Sequence, residues 1–365
     1  MQRHGEGVRR ADFIPNVIWV NGDGSWMVPL NRAKEPERWQ AAVDSDAPVI
    51  IQVDDGADTY GVGRGIFPTS SSSASGVMKK MLDMLDVQLG MDVLEIGTGT
   101  GYNAALIAER SKTGRTATIE VDPVIADHAR ATIARLGIPV TIVTDDGTRG
   151  YSNGAPYDRI MATASVSTVP YAWVEQTRPG GRIVLPLAGS FGQCALLSLT
   201  VTDDGTARGR FQSTAAFMKI RSHRDGAPLW WTHEDNRQIS FTPVRPREVF
   251  ENHDAGFALG LACPGMIAGS ATDPETGIVF LRLSHARSRS WASFADDPED
   301  EGYEVLQCGP RRLWEELEAA YHSWINAGRP RFHRFGMTVT PHGQEAWLGT
   351  PGHIVLPVQR PAAWS

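Results

Sequence analysis

At 365 residues the chain is longer than one ordinary domain, and two units are expected. A formal net charge of −7 gives no global basic field for nucleic acid, and no apolar run reaches membrane-spanning length. The N-terminus lacks an apolar signal-peptide core, and three widely spaced cysteines (Cys194, Cys263 and Cys308) suit neither a disulfide framework nor a zinc knuckle, so a cytoplasmic protein is expected.

Met1 to Ala11 is polar and reads as a loose terminus. Phe13-Ile14-Pro15 and Val17-Ile18-Trp19 are apolar enough to dock on a core. Glu35 to Val43 has a helical pattern, and Pro48 to Val53 is a strand candidate that runs into Asp54-Asp55-Gly56-Ala57-Asp58. That acidic group lacks the alternating ligands and distant glutamate of a calcium loop, and it reads as a solvated turn, with substrate contact as the alternative. Gly61 to Gly76 is rich in Gly and Ser and contains Ser70-Ser71-Ser72-Ser73. Two readings stay open for it: a flexible linker, or hydroxyls and helix N–H groups offered to an anion, since Val77 to Leu85 follows as an amphipathic helix.

The centre of the sequence is Val93-Leu94-Glu95-Ile96-Gly97-Thr98-Gly99-Thr100-Gly101-Tyr102-Asn103. It reads as a strand covered on both faces, a glycine turn, and the start of an Ala- and Leu-rich helix, the nucleotide cradle of doubly wound folds. The glycine spacing is not that of dinucleotide enzymes, and no Gly-Lys-Ser/Thr follows to hold a triphosphate. Glu95, inside the strand, suits an ammonium group better than a pyrophosphate. Glu120 ends the next apolar run, where a ribose-binding carboxylate belongs, and Asp146-Gly147 follows the third strand. A ligand with an amino-acid end, a ribose and no phosphate satisfies both acids: S-adenosylmethionine. The cofactor set expected is Glu95, Gly97, Thr98, Gly99, Gly101, Glu120, Asp146 and Gly147.

Thr116 to Glu120, Val140 to Val143, Arg159 to Thr163 and Arg182 to Leu187 are the next strands expected. Helices at Pro123 to Leu136 and Pro170 to Thr177 lie among them, which predicts a parallel sheet. Pro179-Gly180-Gly181 signals a turn ahead of the fifth strand. Ala195 to Val201 and Phe211 to Met218, joined at Asp203-Asp204-Gly205, predict an antiparallel hairpin at one edge. Past residue 220 histidine and tryptophan become frequent, which argues for a separate α+β module. Strands are expected there at Ile278 to Leu283, Ser288 to Phe294, Arg331 to Thr340 and Glu345 to Leu348, with a helix over Arg311 to Ile325. The histidines show no metal spacing, Thr232-His233-Glu234-Asp235 included, and no metal is expected.

Taken together, these residues resemble protein-L-isoaspartate O-methyltransferases. The resemblance runs from Phe13-Ile14-Pro15 through the glycine motif and Asp146-Gly147 to Ala155-Pro156-Tyr157-Asp158-Arg159-Ile160 and Arg178-Pro179-Gly180-Gly181-Arg182-Ile183-Val184-Leu185-Pro186, covering roughly Phe13 to Met218. It implies a Rossmann-like class I methyltransferase sheet. Residues 1–60 would be an N-terminal extension and 61–220 the cofactor domain. Residues 221–365 lie outside that fold and are rich in aromatics, so they read as a C-terminal module for peptide recognition, with a stability or dimerisation module as the alternative. Ser73 falls on the serine of the family's Thr-Ile-Ser-Gln-Pro signature, which here reads Ser71-Ser72-Ser73-Ala74-Ser75. The absence of Gln and Pro implies an altered acceptor pocket.

The serine run, the Gln52-Val53-Asp54-Asp55-Gly56 segment and the Trp-rich extension look like a branch that accompanies ribosomal peptide maturation, beside ATP-grasp ligases (graspetides) or lanthipeptide synthetases. That branch implies methylation of an aspartate in a macrocyclised, ribosomally made peptide, followed by aspartimide closure. An aspartate is ionised at neutral pH, its ordinary pKa being about 3.9, so methyl transfer needs alignment and dehydration, not a general base. Ser72 and Ser73 are the catalytic candidates, as neutral donors that orient the carboxylate without quenching it. Rival readings are isoaspartyl repair, a non-catalytic scaffold and a small-molecule methyltransferase.

Overall fold

The computed structural model describes residues 7–58, 60, 61, 63–224, 237–273, 275–296 and 302–352. The chain opens with β1 (Val17–Asn21), β2 (Met27–Asn31), α1 (Pro36–Asp44), β3 (Val49–Val53) and β4 (Pro68–Ser72), the strands forming one antiparallel sheet in the order β2-β1-β3-β4. Ile18, Leu30, Trp39, Val43 and Val49 make its core. The terminus is not loose where it is described: Arg10 is 7% exposed and sits under β4. The serine run is neither a linker nor a helix opening. Ser70–Ser72 pair with β3, and Ala74, with no side-chain cap, precedes α2 (Ser75–Leu85).

The cofactor region continues with β5 (Val93–Ile96), α3 (Tyr102–Ser111), β6 (Thr116–Glu120), α4 (Pro123–Leu136), β7 (Val140–Thr144), β8 (Tyr157–Ala162), α5 (Tyr171–Glu175), β9 (Thr177–Ala188), β10 (Cys194–Val201) and β11 (Ala207–Ala215). All four β5 residues are buried, as a strand covered on both faces requires. α4 shows how locally the sequence encodes its ends. Asp122 accepts from the Val124 and Ile125 amides at one end, and Gly137 takes the left-handed conformation (φ 67) at the other. Arg178–Gly181 are a bulge within β9, not a turn before it, since Tyr157 pairs with Thr177 and Arg159 with Arg182.

The remainder supplies β12 (Gln238–Thr242), α6 (Pro246–Glu251), α7 (His253–Ala262), β13 (Ile267–Thr272), β14 (Val279–His285), β15 (Ser290–Asp296), β16 (Tyr303–Cys308), α8 (Leu313–Asn326), β17 (Phe335–Thr340) and β18 (Gly343–Leu348). β12–β16 form a five-stranded antiparallel sheet. The Thr232–Asp235 segment lies outside the described residues. The central sheet is mixed, ordered β18-β17-β11-β10-β9-β8-β5-β6-β7, with β5 to β9 parallel. The β10–β11 hairpin is antiparallel but not an edge. β17 pairs with β11 through Ala207–Val339 and Arg210–Gly336, a contact between residues too distant in the chain for local patterns to reveal. One apolar core runs from Leu94 and Ile96 through Phe211 and Phe257 to Trp314, Phe335 and Ala346. No helix among the described residues is long and apolar enough to cross a membrane.

Candidate active site

β6 and β8 flank β5 on opposite sides, so the sheet reverses its winding at β5, and the crevice at the strand ends there is where a doubly wound sheet holds its ligand. A cavity of about 550 Å³ opens at that point. Its walls bring together the glycine loop, Glu95, Glu120 and Gly147 with Ser70–Ser73 and the 216–221 segment.

Glu95 is 1% exposed. Its Oε1 accepts from Asn103 Nδ2 at 2.7 Å and its Oε2 from Thr118 Oγ1 at 2.7 Å, and Thr118 in turn contacts Thr98 Oγ1 at 2.8 Å. Burial pushes the Glu95 carboxyl up to about 7, against the pull of those two bonds. Asn103, 8% exposed, leaves its Oδ1 buried without a partner among the described residues. A buried acceptor beside a buried carboxyl asks for a cationic donor. Asn103 was legible only as part of the motif. The signal was a lone polar side chain in the first turn of an otherwise Ala- and Leu-rich helix.

Glu120 accepts from the Gly99 amide at 3.0 Å and the Asp122 amide at 3.1 Å, one bond per oxygen. Each oxygen keeps a lone pair for a diol. Burial raises this carboxyl too. Gly97 (φ 95) and Gly99 (φ 52) occupy left-handed backbone, and a Cβ would stand 2.8 Å from Thr163 Oγ1 and 3.2 Å from the Ser71 carbonyl respectively. The loop therefore passes directly against the serine strand. Gly101 and Asp146 stand back from the cavity. A Cβ on Gly101 would face Ile133 and Ala129 of α4, and Asp146 Oδ1 caps the Thr148 amide. A volume in the range of small-molecule pockets, an unmet acceptor beside an acid and a second acid for a diol fit S-adenosylmethionine.

The serine segment is held from behind. Arg10 donates to the carbonyls of Val43 (3.2 Å), Ser45 (3.0 Å), Ala47 (2.8 Å), Ser72 (2.9 Å) and Ser73 (2.9 Å), and its Nε reaches Ser72 Oγ at 3.4 Å. Burial lowers its pKa, with Asp46 opposing. The Ser73 hydroxyl, half-buried on the cavity wall, is bonded to no described residue. Opposite, Arg221 donates to Asp122 Oδ2 at 2.8 Å and pairs with Asp55 at 3.1 Å, and Arg224 pairs with Asp55 at 2.6 Å. The acidic turn is thus an ion-paired seam, not merely solvated. Asp54 binds the Ile66 and Phe67 amides. Among the described residues no group of three or more His, Cys, Asp or Glu is placed to hold a metal ion.

A family model described as Protein-L-isoaspartate(D-aspartate) O-methyltransferase matches residues 36–224. The protein-L-isoaspartate O-methyltransferase of Methanopyrus kandleri is 37% identical over 189 residues, spanning 51% of this chain and 76% of its own. That of Staphylothermus marinus is 40% identical over 196 residues, spanning 51% of this chain and 80% of its own. A solved structure described as a protein-L-isoaspartate O-methyltransferase overlays with a TM-score of 0.51 at 20% identity, covering 85% of this chain and 89% of that one, which establishes a shared fold. With its glycine loop, its two buried acids and these matches, the chain belongs to the protein-L-isoaspartate(D-aspartate) O-methyltransferase family.

Proposed function

We propose that the chain esterifies the side-chain carboxylate of an aspartate within a ribosomally made, macrocyclised peptide, and that the ester then closes to an aspartimide. The observation that carries this reading is the altered signature. Ala74 and Ser75 stand where the family pattern has Gln and Pro, and Ala74 lines the cavity next to Ser73. A methyl group in place of a glutamine side chain leaves room for a bulkier, crosslinked acceptor.

S-adenosylmethionine, when bound, would supply an electrophilic methyl group to the acceptor oxygen, the new O–C bond forming as the C–S bond breaks and its electron pair goes to sulfur. Asn103 Oδ1 and Glu95 would hold its ammonium end, and Glu120 would take its ribose. Ser73 donates to the acceptor carboxylate. Ser72, whose oxygen accepts from Arg10, keeps its own proton to donate, and a guanidinium behind a hydroxyl makes it a better donor. The 216–221 segment and Ile50 keep water away from the acceptor. For closure, the next backbone nitrogen attacks the ester carbonyl, loses its proton to solvent and expels methanol. No residue is assigned to that step.

Isoaspartyl repair is the second reading, and one observation favours it. The solved structure described as an isoaspartate methyltransferase covers 85% of this chain, more than residues 36–224 span, so the C-terminal extension alone does not separate the two. Three peptides decide between them: a crosslinked macrocycle bearing aspartate, its linear form, and an isoaspartyl peptide. Mass spectrometry should show methyl gain and then methanol loss on the macrocycle alone. Methylation confined to the isoaspartyl peptide would overturn the proposal.

A further inference from the structure

A second groove, of about 1160 Å³, lies between the N-terminal sheet and α4. It meets the active-site cavity at Gly99 and Ile125, which line both. Its walls carry Arg32, Arg64 and Arg135, all exposed. Several arginines of the chain pair with carboxylates, as at Arg115–Asp92 or Arg221–Asp122. These three have none among the described residues. Arg32 lies over the Trp39 ring at 4.5 Å and Arg64 over Trp26 at 5.6 Å, while Arg135 donates to the Asp12 carbonyl.

Stacking uses the flat face of a guanidinium and leaves its in-plane N–H groups free, the geometry that receives a carboxylate in a fork. Two of the three cation–π contacts among the described residues fall on this one groove. The acids on its walls are fewer. Asp12 is already paired with Arg9 at 3.0 Å, and Asp58 remains. Phe13, Val17 and Val124 give the groove an apolar component, with Val124 61% exposed.

We propose that this groove docks an acidic stretch of the acceptor polypeptide, flanking the carboxylate presented to Ser73. The inference rests on the methyl-transfer reading for its purpose, but its binding step can be measured without transfer. Two labelled peptides share one crosslinked, aspartate-containing macrocycle. One carries a run of Asp and Glu beside it, the other Asn and Gln. By fluorescence anisotropy the acidic peptide should bind at least about tenfold more tightly, and the advantage should vanish in Arg32→Glu/Arg64→Glu and in about 0.5 M salt. Arg64→Gln, an exposed single change, should lose part of it with an unchanged melting temperature. Equal binding of the two peptides, or an advantage that survives the double substitution, would overturn the docking site. Absence of methyl incorporation into either peptide, with the acidic preference intact, would strike the transfer reading and leave the groove standing.

Discussion

Asn103 gives its amide nitrogen to Glu95 at 2.7 Å and keeps its amide oxygen buried and unpaired. The pair is thus half-built, with the amide donor satisfied on the protein side and the amide acceptor of a cavity-lining residue left unmet. Replacing Asn103 with Ala removes that acceptor and strips Glu95 Oε1 of its donor. Cofactor affinity should fall by about tenfold to a hundredfold, since an unmet charged group costs about 1–3 kcal/mol. Calorimetric titration checks it, and unchanged affinity would refute the pairing.

Glu95 also sets a pH dependence. Its carboxyl is held near 7, above the ordinary carboxylate range, so burial favours the protonated form. Its contribution to folding is therefore fully present below the ordinary pKa and is lost as pH rises through about 7. Binding of an ammonium runs the opposite way and draws on the ionised form. Cofactor affinity should rise across the same interval, and Glu95→Gln should flatten the profile. A slope that persists in the variant would mean another group is responsible.

Ser73→Ala should slow turnover by roughly tenfold or more while leaving cofactor affinity intact, because its hydroxyl bonds no described residue and lines the cavity where the acceptor is proposed to sit. Comparing calorimetry with product formation separates the two. Equal loss of both would assign Ser73 to cofactor binding instead.

Arg10 predicts a stability effect with a catalytic shadow. Arg10→Met orphans five carbonyls and should cost about 3 kcal/mol or more. Arg10→Lys should recover only part, since an ammonium carries three donors and no planar fork. Thermal melting reads the first effect. In the lysine variant, which stays folded, KM for the acceptor should rise more than cofactor Kd, because the guanidinium holds Ser72 and Ser73 and not the glycine loop.

Arg221→Ala should speed cofactor release. Its guanidinium ties the 216–221 wall to Asp122 and Asp55 across the cavity, and Asp122 keeps its capping role through its other oxygen. Stopped-flow dissociation checks this, with an unchanged off-rate as the refuting result.

The parallel half of the sheet was legible because each of its elements carries its own signal: an apolar run for β5, an aspartate cap and terminal glycine for α4. β4 was not. Its Pro-Thr-Ser-Ser-Ser sequence has no apolar alternation, and the strand exists only because β3 is there to pair with it. α7 escaped for the opposite reason, since it is buried on nearly every side and shows no periodicity. β2 carries Pro29, tolerated because the strand lies at the sheet's edge. At the cavity, Glu95, Glu120, Gly97 and Gly99 stand where their spacing put them, whereas Gly101 and Asp146 do not line it. Arg10 was hidden in a polar terminus, and its role depends on contacts more than sixty residues away.

The β11–β17 pairing sets a limit on dissection. A truncate ending near residue 220 would present the bare backbone of β11 to solvent, along with the faces of Phe211 and Ala207 that residues 335–339 now shield. Such a fragment would be prone to stick to its own copies, and its failure to capture a peptide would report on solubility instead of recognition. Point changes that leave both hairpins in place are the informative way to divide labour along this polypeptide.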